Sequence, residues 1–158
     1  MLYFAYGSNM DRAQMQERCR SARFVCTAKL EGHRLVFPRK SRHRKRKCGV
    51  ASVERSDGSD VWGVVYQIDE LDIATLDERE GYDVNLPADQ NSYLRKKTRV
   101  LRDGYEEQAI AVWTYEANPK PTPPPPSAEY KGLIVEAAKF WRLPPDYIAE
   151  LERIETKG

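Results

Sequence analysis

The sequence predicts an α+β fold, a mostly antiparallel and strongly curved sheet with helices packed on it, and three observations carry that expectation. Val61-Trp62-Gly63-Val64-Val65-Tyr66-Gln67-Ile68 is apolar at almost every position, the pattern of a strand buried on both faces. Residues 93–101 and 106–115 read as two strands around Asp103-Gly104, a favoured pair for a two-residue hairpin turn. Tyr130, Leu133, Ile134, Ala137, Ala138 and Trp141 recur at helical spacing, one apolar stripe aimed at a core.

The other elements follow in order along the chain. Residues 2–6 form a short apolar and aromatic strand, punctuated by Gly7-Ser8-Asn9, and a helix is expected from about residue 10 through residue 18. Strands are expected at 23–30 and 33–37, separated by Glu31-Gly32, and at 49–54, closed by the turn Ser56-Asp57-Gly58. Residues 69–80 read as a helix with Asp69 as its N-cap and Gly81 just past its end. The arm Arg95-Lys96-Lys97-Thr98-Arg99 is charged enough to place it at an edge or an exposed face. Residues 118–126, with six prolines, are expected to be an extended strap. A helix then starts near Ser127, and Pro144-Pro145 opens a last one with Ile148, Leu151 and Ile154 on one side.

At 158 residues with 41% hydrophobic and 10% aromatic content, residues 1–158 are expected to form one domain with one core. No apolar run approaches the roughly 20 residues of a spanning helix. The first residues lack the basic and long apolar regions of a secretory signal. A soluble cytoplasmic protein without a membrane role is expected, and a monomer and a homodimer are equally compatible with the sequence. Cys19, Cys26 and Cys48 have no metal-ligand spacing, so buried thiols are expected rather than a disulfide framework or a metal site.

The formal net charge of +2 conceals a local imbalance. Segment 39–47 holds seven of the 26 Lys and Arg residues and no acid, so the other 19 face 24 Asp and Glu. The basicity is one segment and not a domain-wide nucleic-acid surface, and it has no interleaved aromatics to stack bases. No nucleic-acid partner is expected. A solvated loop is the first reading of this segment, with an anionic partner or a targeting signal as alternatives.

Two constellations could carry chemistry. The turn Tyr6-Gly7-Ser8-Asn9 joins a strand to a helix, where free N–H groups and the helix dipole favour an anion such as a carboxylate. The plain structural alternative is that Ser8 or Asn9 caps the helix, with Asp11 completing a box-like pattern. The second is Leu76-Asp77-Glu78-Arg79-Glu80-Gly81-Tyr82. Glu80 shares a stripe with Ile73 and Leu76, whereas Glu78 shares one with Leu71 and Ala74, and periodicity leaves both open beside a solvated helix end. A carboxyl turned inward has its pKa raised towards the range useful for proton transfer. His33 and His43 build no nucleophilic triad, and no P-loop or GxGxxG motif is present. An enzyme built this way would be a cofactor-free acid/base catalyst.

Four motifs in order resemble the γ-glutamylcyclotransferase family: Tyr3-Phe4-Ala5-Tyr6-Gly7-Ser8-Asn9-Met10, Val61-Trp62-Gly63-Val64-Val65-Tyr66, the 76–82 segment, and Pro125-Pro126-Ser127-Ala128-Glu129-Tyr130-Lys131. The resemblance covers nearly the whole chain. It implies a small mixed β-barrel with flanking helices and a cavity at one end. It also implies conversion of a γ-glutamyl amino acid into 5-oxoproline and the free amino acid, without a cofactor. The family's substrate-contacting stretch falls on Tyr3, Phe4, Ala5, Tyr6, Gly7, Ser8 and Asn9, and its catalytic glutamate matches Glu80. Its pocket tyrosines match Tyr93, Tyr115 and Tyr130. Segment 39–47 departs from the family's pattern. Beside the cavity mouth it would favour acidic acceptors or another substrate class. Relatives of the same fold act on γ-glutamyl amines or carrier-bound γ-glutamyl groups, and the glutathione-specific branch usually lacks an Asn at the position of Asn9. A non-enzymatic binding protein using the basic and proline-rich segments is the third reading.

Overall fold

The structure is a computed structural model that describes residues 1–42 and 46–156. Five strands close into a barrel: β1 (Leu2–Ala5), β2 (Arg23–Lys40), β3 (Gly49–Gln67), β4 (Tyr93–Arg102) and β5 (Ala109–Ala117), in the spatial order β1-β3-β2-β4-β5. Four helices flank it: α1 (Arg12–Arg18), α2 (Glu70–Glu80), α3 (Ala128–Phe140) and α4 (Pro145–Glu152). All pairings are antiparallel except the closing one, where β1 meets β5 in parallel at Tyr3 and Trp113 and Thr114 Oγ1 donates to the Phe4 carbonyl at 2.9 Å. The expected mixed barrel with flanking helices is the observed architecture.

The apolar run of β3 explains why it is central. It pairs with β1 on one side and β2 on the other, so Val61, Val64, Val65 and Tyr66 are all buried. Phe4, Met10, Met15, Leu76 and Ile134 complete the core from β1, the turn after it, and helices α1, α2 and α3. Cys19, Cys26 and Cys48 are buried free thiols. No helix among the described residues is long and apolar enough to cross a membrane.

Three expected boundaries are corrected. The strands expected at 23–30 and 33–37 are the single strand β2, and those at 49–54 and 61–68 are parts of the single strand β3. The ladder continues past the expected breaks as a bulge, with Glu31 opposite Asp60 and His33 opposite Arg55. The segment 56–59 is thus accommodated within paired strands as an outward bend. The hairpin around Asp103-Gly104 is not a two-residue one. Both residues have positive φ and Tyr105 N–H reaches the Arg102 carbonyl at 3.0 Å, but a second turn through Gln108 N–H to the Tyr105 carbonyl delays β5 to Ala109. The helix expected from about residue 10 is a 3-10 turn, Ser8–Met10, followed by α1. The cap of α1 is Asp11, whose Oδ2 accepts from Gln14 N–H at 2.9 Å, because the side chains of Ser8 and Asn9 are engaged elsewhere.

Strand β4 pairs with β2 only at Leu101 and Arg102, so the edge along its charged arm is open, as its composition predicts. The proline strap carries the chain from β5 to α3 against the β2–β3 end, with Lys120 N–H donating to the Pro38 carbonyl and Gly49 N–H to the Pro125 carbonyl. Ser127 caps α3 by accepting from Tyr130 N–H at 3.0 Å.

Helix α2 ends where expected, at Gly81, with φ of 71° and its N–H closing on the carbonyls of Asp77 and Glu78. An L side chain in that left-handed conformation costs about 1–2 kcal/mol. Gly81→Ala is therefore expected to lower the melting temperature by about 2–8 °C, checked by thermal denaturation. An unchanged melting temperature would show that the helix end readjusts without strain.

Candidate active site

A cavity of about 670 Å³ opens at one end of the barrel, between the turn after β1, the end of α2, the β2–β3 connection and the start of α3. Of the residues singled out from the sequence, Tyr3, Tyr6, Gly7, Ser8, Asn9 and Glu80 line it, together with Tyr93, Tyr115 and Tyr130. Phe4 and Ala5, also in the expected substrate-contacting stretch, are fully buried in the core and do not line the cavity. Phe4 reaches the vicinity of Gly63 instead.

Asn9 ties the site together. Its Nδ2 donates to Glu80 Oε1 at 3.0 Å and to the Tyr3 hydroxyl at 2.9 Å, while its Oδ1 accepts from Arg18 Nη1 at 2.9 Å and Gln14 Nε2 at 3.1 Å. Charge sets the orientation of this amide. Turning it over would set oxygen against the Glu80 carboxylate and nitrogen against the Arg18 guanidinium. Gln14 also donates to Ser8 Oγ at 2.8 Å, so α1 braces both side chains of the turn. The backbone N–H groups of Ser8 and Asn9 have no acceptor among the described residues, whereas those of Met10 and Asp11 close the 3-10 turn.

Glu80 and Glu78 both border the cavity, but differently. Glu80 is half-buried and reaches Asn9, whereas Glu78 is exposed at the rim. Burial raises the Glu80 pKa above the usual glutamate value, and the Arg18 charge, the Asn9 hydrogen bond and the charges of Arg42 and Arg46 pull the other way. The phenols around it are held protonated: burial raises Tyr3, Tyr6, Tyr93 and Tyr115, and Tyr130 is pushed up to about 12. They can orient a ligand, and at neutral pH they cannot serve as bases.

The tyrosines are fixed by directed bonds. Tyr6 donates to the Tyr115 carbonyl at 2.5 Å, Tyr93 donates to the Ala51 carbonyl at 2.7 Å, and the Tyr130 hydroxyl accepts from Ala51 N–H at 3.0 Å. Tyr115 donates to Asp77 Oδ1 at 2.6 Å, with Arg95 3.6 Å from the same oxygen. Burial raises the Asp77 pKa, opposed by the Tyr115 hydrogen bond and by Arg95. Sequence reasoning missed this second carboxylate and Arg18, the arginine that holds Asn9. Arg18 lies one helical turn past Gln14 on α1, a spacing that is informative only once Asn9 is known to be their common partner.

The basic segment also reaches the site. Arg39, Lys40, Arg42 and Arg46 line the cavity; residues 43–45 of the segment lie outside the described residues. Arg46 stacks over the Tyr130 ring at 4.7 Å. No group of three or more His, Cys, Asp or Glu among the described residues is arranged to hold a metal ion.

A closed five-stranded barrel whose end cavity is walled by phenols and holds a half-buried carboxylate defines the class of small α+β proteins equipped for acid/base work on a small polar ligand. The family profile described as "Gamma-glutamyl cyclotransferase, AIG2-like" matches residues 3–143. The chain is 33% identical to a mouse protein named gamma-glutamylcyclotransferase and 31% identical to a human one of the same name, in each case across 98% of this chain and 78% of the relative. A solved structure titled "Gamma-glutamyl cyclotransferase" superposes with a TM-score of 0.86 at 31% identity, covering 99% of this chain and 89% of that one. The chain belongs to the γ-glutamyl cyclotransferase, AIG2-like family.

Proposed function

We infer that the protein is a γ-glutamylcyclotransferase, converting a γ-glutamyl amino acid into 5-oxoproline and the free amino acid. The observation that carries this reading is the half-buried Glu80 carboxylate held by Asn9 in a phenol-walled cavity, in a chain whose named relatives align over nearly its full length.

The nucleophile is the substrate's own α-amine. It forms a bond to the γ-carbonyl carbon, the amide C–N bond breaks, and its electron pair stays on the departing nitrogen, which takes up a proton. Folding the glutamyl chain so that amine and carbonyl meet is a large part of the catalysis, since intramolecular attack reaches effective molarities of about 10⁵ M or more. Glu80 takes the proton that the α-ammonium must lose and delivers one to the departing amine. The free N–H groups of Ser8 and Asn9 receive the α-carboxylate or the developing oxyanion, and Tyr3, Tyr6, Tyr93, Tyr115 and Tyr130 enclose the glutamyl chain.

Incubation with γ-glutamyl-alanine or glutathione, followed by detection of 5-oxoproline, tests this reading. Product from γ-glutamyl-alanine is expected. No product from either compound at high enzyme concentration overturns the amino-acid reading and leaves γ-glutamyl amines or carrier-bound groups to be tried.

The pH profile supplies a further test. Glu80 must be ionised to accept the proton, so kcat/KM rises as pH passes its pKa, and burial places that rise above the ordinary glutamate value of about 4.3. Arg18 holds the carboxylate in its charged form, so Arg18→Gln is expected to move the acid limb to higher pH. A limb that stays put or moves down contradicts the assignment of Glu80 as the base.

A further inference from the structure

The cavity carries more positive charge than a γ-glutamyl amino acid with a neutral side chain requires. Among the described residues, six basic side chains line it against two acidic ones, Glu78 and Glu80. The glutamyl half, placed at Ser8, Asn9 and Glu80, brings one carboxylate and one ammonium that nearly balance. What remains is the wall formed by Arg39, Arg42 and Arg46, and only the carboxylate of the departing amino acid faces it.

Those three guanidinium groups are positioned but not neutralised. Arg39 Nη1 donates to the carbonyls of Ser92 at 3.0 Å and Asn118 at 3.1 Å, and its buried Nε–H has no partner among the described residues. Arg42 Nη1 donates to the Glu78 carbonyl at 3.4 Å, and Arg46 lies over Tyr130. Among the described residues, no carboxylate comes within 4 Å of any of the three, although five ion pairs form elsewhere on the molecule. A buried guanidinium N–H without an acceptor is costly, and a carboxylate meets the guanidinium fork with two parallel bonds. Clefts lined by one sign of charge also concentrate ligands of the opposite sign.

We propose that the preferred substrates are γ-glutamyl compounds whose departing amine carries at least two acid groups, such as γ-glutamyl-glutamate or a longer γ-linked glutamyl chain, with Arg39, Arg42 and Arg46 receiving the extra carboxylate. The proposal rests on the cyclotransferase reading and specifies its substrate. The covalent step is unchanged: the terminal α-amine closes on its γ-carbonyl, the amide bond breaks, and the acidic amine leaves with a proton, with no oxidant or reductant involved.

The discriminating pair is γ-glutamyl-glutamate against γ-glutamyl-glutamine, nearly isosteric compounds that differ by one negative charge. At low ionic strength kcat/KM for the glutamate compound is expected to exceed that for the glutamine compound by about tenfold or more. The ratio is expected to shrink as salt screens the arginines. It should also fall in Arg42→Gln and Arg46→Gln, and in Arg39→Lys, which keeps the charge and loses the planar fork. Including γ-linked triglutamate separates a dipeptide substrate from a longer chain. Equal kcat/KM for the glutamate and glutamine compounds overturns the proposal and leaves the cyclotransferase reading standing. Absence of 5-oxoproline from every compound overturns both.

Discussion

Glu80→Gln is expected to lower kcat by roughly 10²–10⁴-fold, the usual contribution of a positioned proton-transfer group, while the protein keeps its fold. Gln preserves the acceptor oxygen that Asn9 Nδ2 uses and removes only the titrating proton site. The expected stability change has a definite sign. Burial raises the Glu80 pKa in the folded state, so the folded protein binds the proton more tightly than the unfolded chain does. Stability from this group is therefore greatest below the unfolded-state value and is lost as pH rises through the folded one. At neutral pH the wild type carries the cost of a desolvated carboxylate, and Glu80→Gln does not. Its melting temperature at pH 7.5 is expected to equal or exceed that of the wild type, with a flatter dependence on pH. Near-wild-type turnover by the folded variant sinks the assignment of Glu80 as the proton shuttle. A variant less stable at neutral pH than the wild type contradicts the burial argument.

Gly63→Ala is expected to be strongly destabilising. A Cβ there would lie 2.2 Å from the Ala5 carbonyl oxygen and 2.9 Å from two atoms of the Phe4 ring. Neither neighbour can move aside cheaply: Ala5 is backbone held in the β1–β3 ladder opposite Val64, and Phe4 is fully buried. Overpacking of this kind costs about 1–3 kcal/mol and occasionally more. At the upper figure the melting temperature falls by about 6–12 °C. A denaturation midpoint indistinguishable from the wild type would mean that β1 can shift away from β3, and with it the turn that carries Ser8 and Asn9.

The two variants mark what could and could not be read from the sequence. Gly63 sits in the apolar run 61–68, and the run alone identifies a central strand buried on both faces. The reason for a glycine within it, the close approach of the Ala5 carbonyl and the Phe4 ring from the neighbouring strand, is a relation between residues 58 positions apart in the chain that periodicity cannot report. Likewise the end of α2 at Gly81 was legible because the C-cap is a local signal. Periodicity left Glu78 and Glu80 open. The inward direction of Glu80 is visible only where α2 meets the turn after β1. Ser8 and Asn9 illustrate the converse error: they have the composition of helix caps, and Asp11 takes that role because their side chains are committed across the fold. The expected breaks within β2 and β3 failed for a related reason. Glycine and turn residues signal departure from a regular strand, but a partner strand paired on both sides of the departure turns it into a bulge. For segment 39–47, composition pointed first to a solvated loop. Position in the fold makes Arg39, Lys40, Arg42 and Arg46 part of the cavity wall.

The parallel contact between β1 and β5 has a consequence for synthesis. Strand β1 is made before the other four, yet the Tyr3–Trp113 pairing and the Thr114 bond to the Phe4 carbonyl, 110 residues apart, need a strand made much later. Until then one side of β1 lacks its neighbour, and the turn bearing Ser8 and Asn9 hangs from a half-paired strand. Such distant pairing makes folding slow, because loop closure must precede the contacts that reward it. A nascent chain stalled before residue 109 is thus expected to contain the β2–β3 pair without a completed cavity. The cavity end of the barrel is the part that the growing chain finishes late.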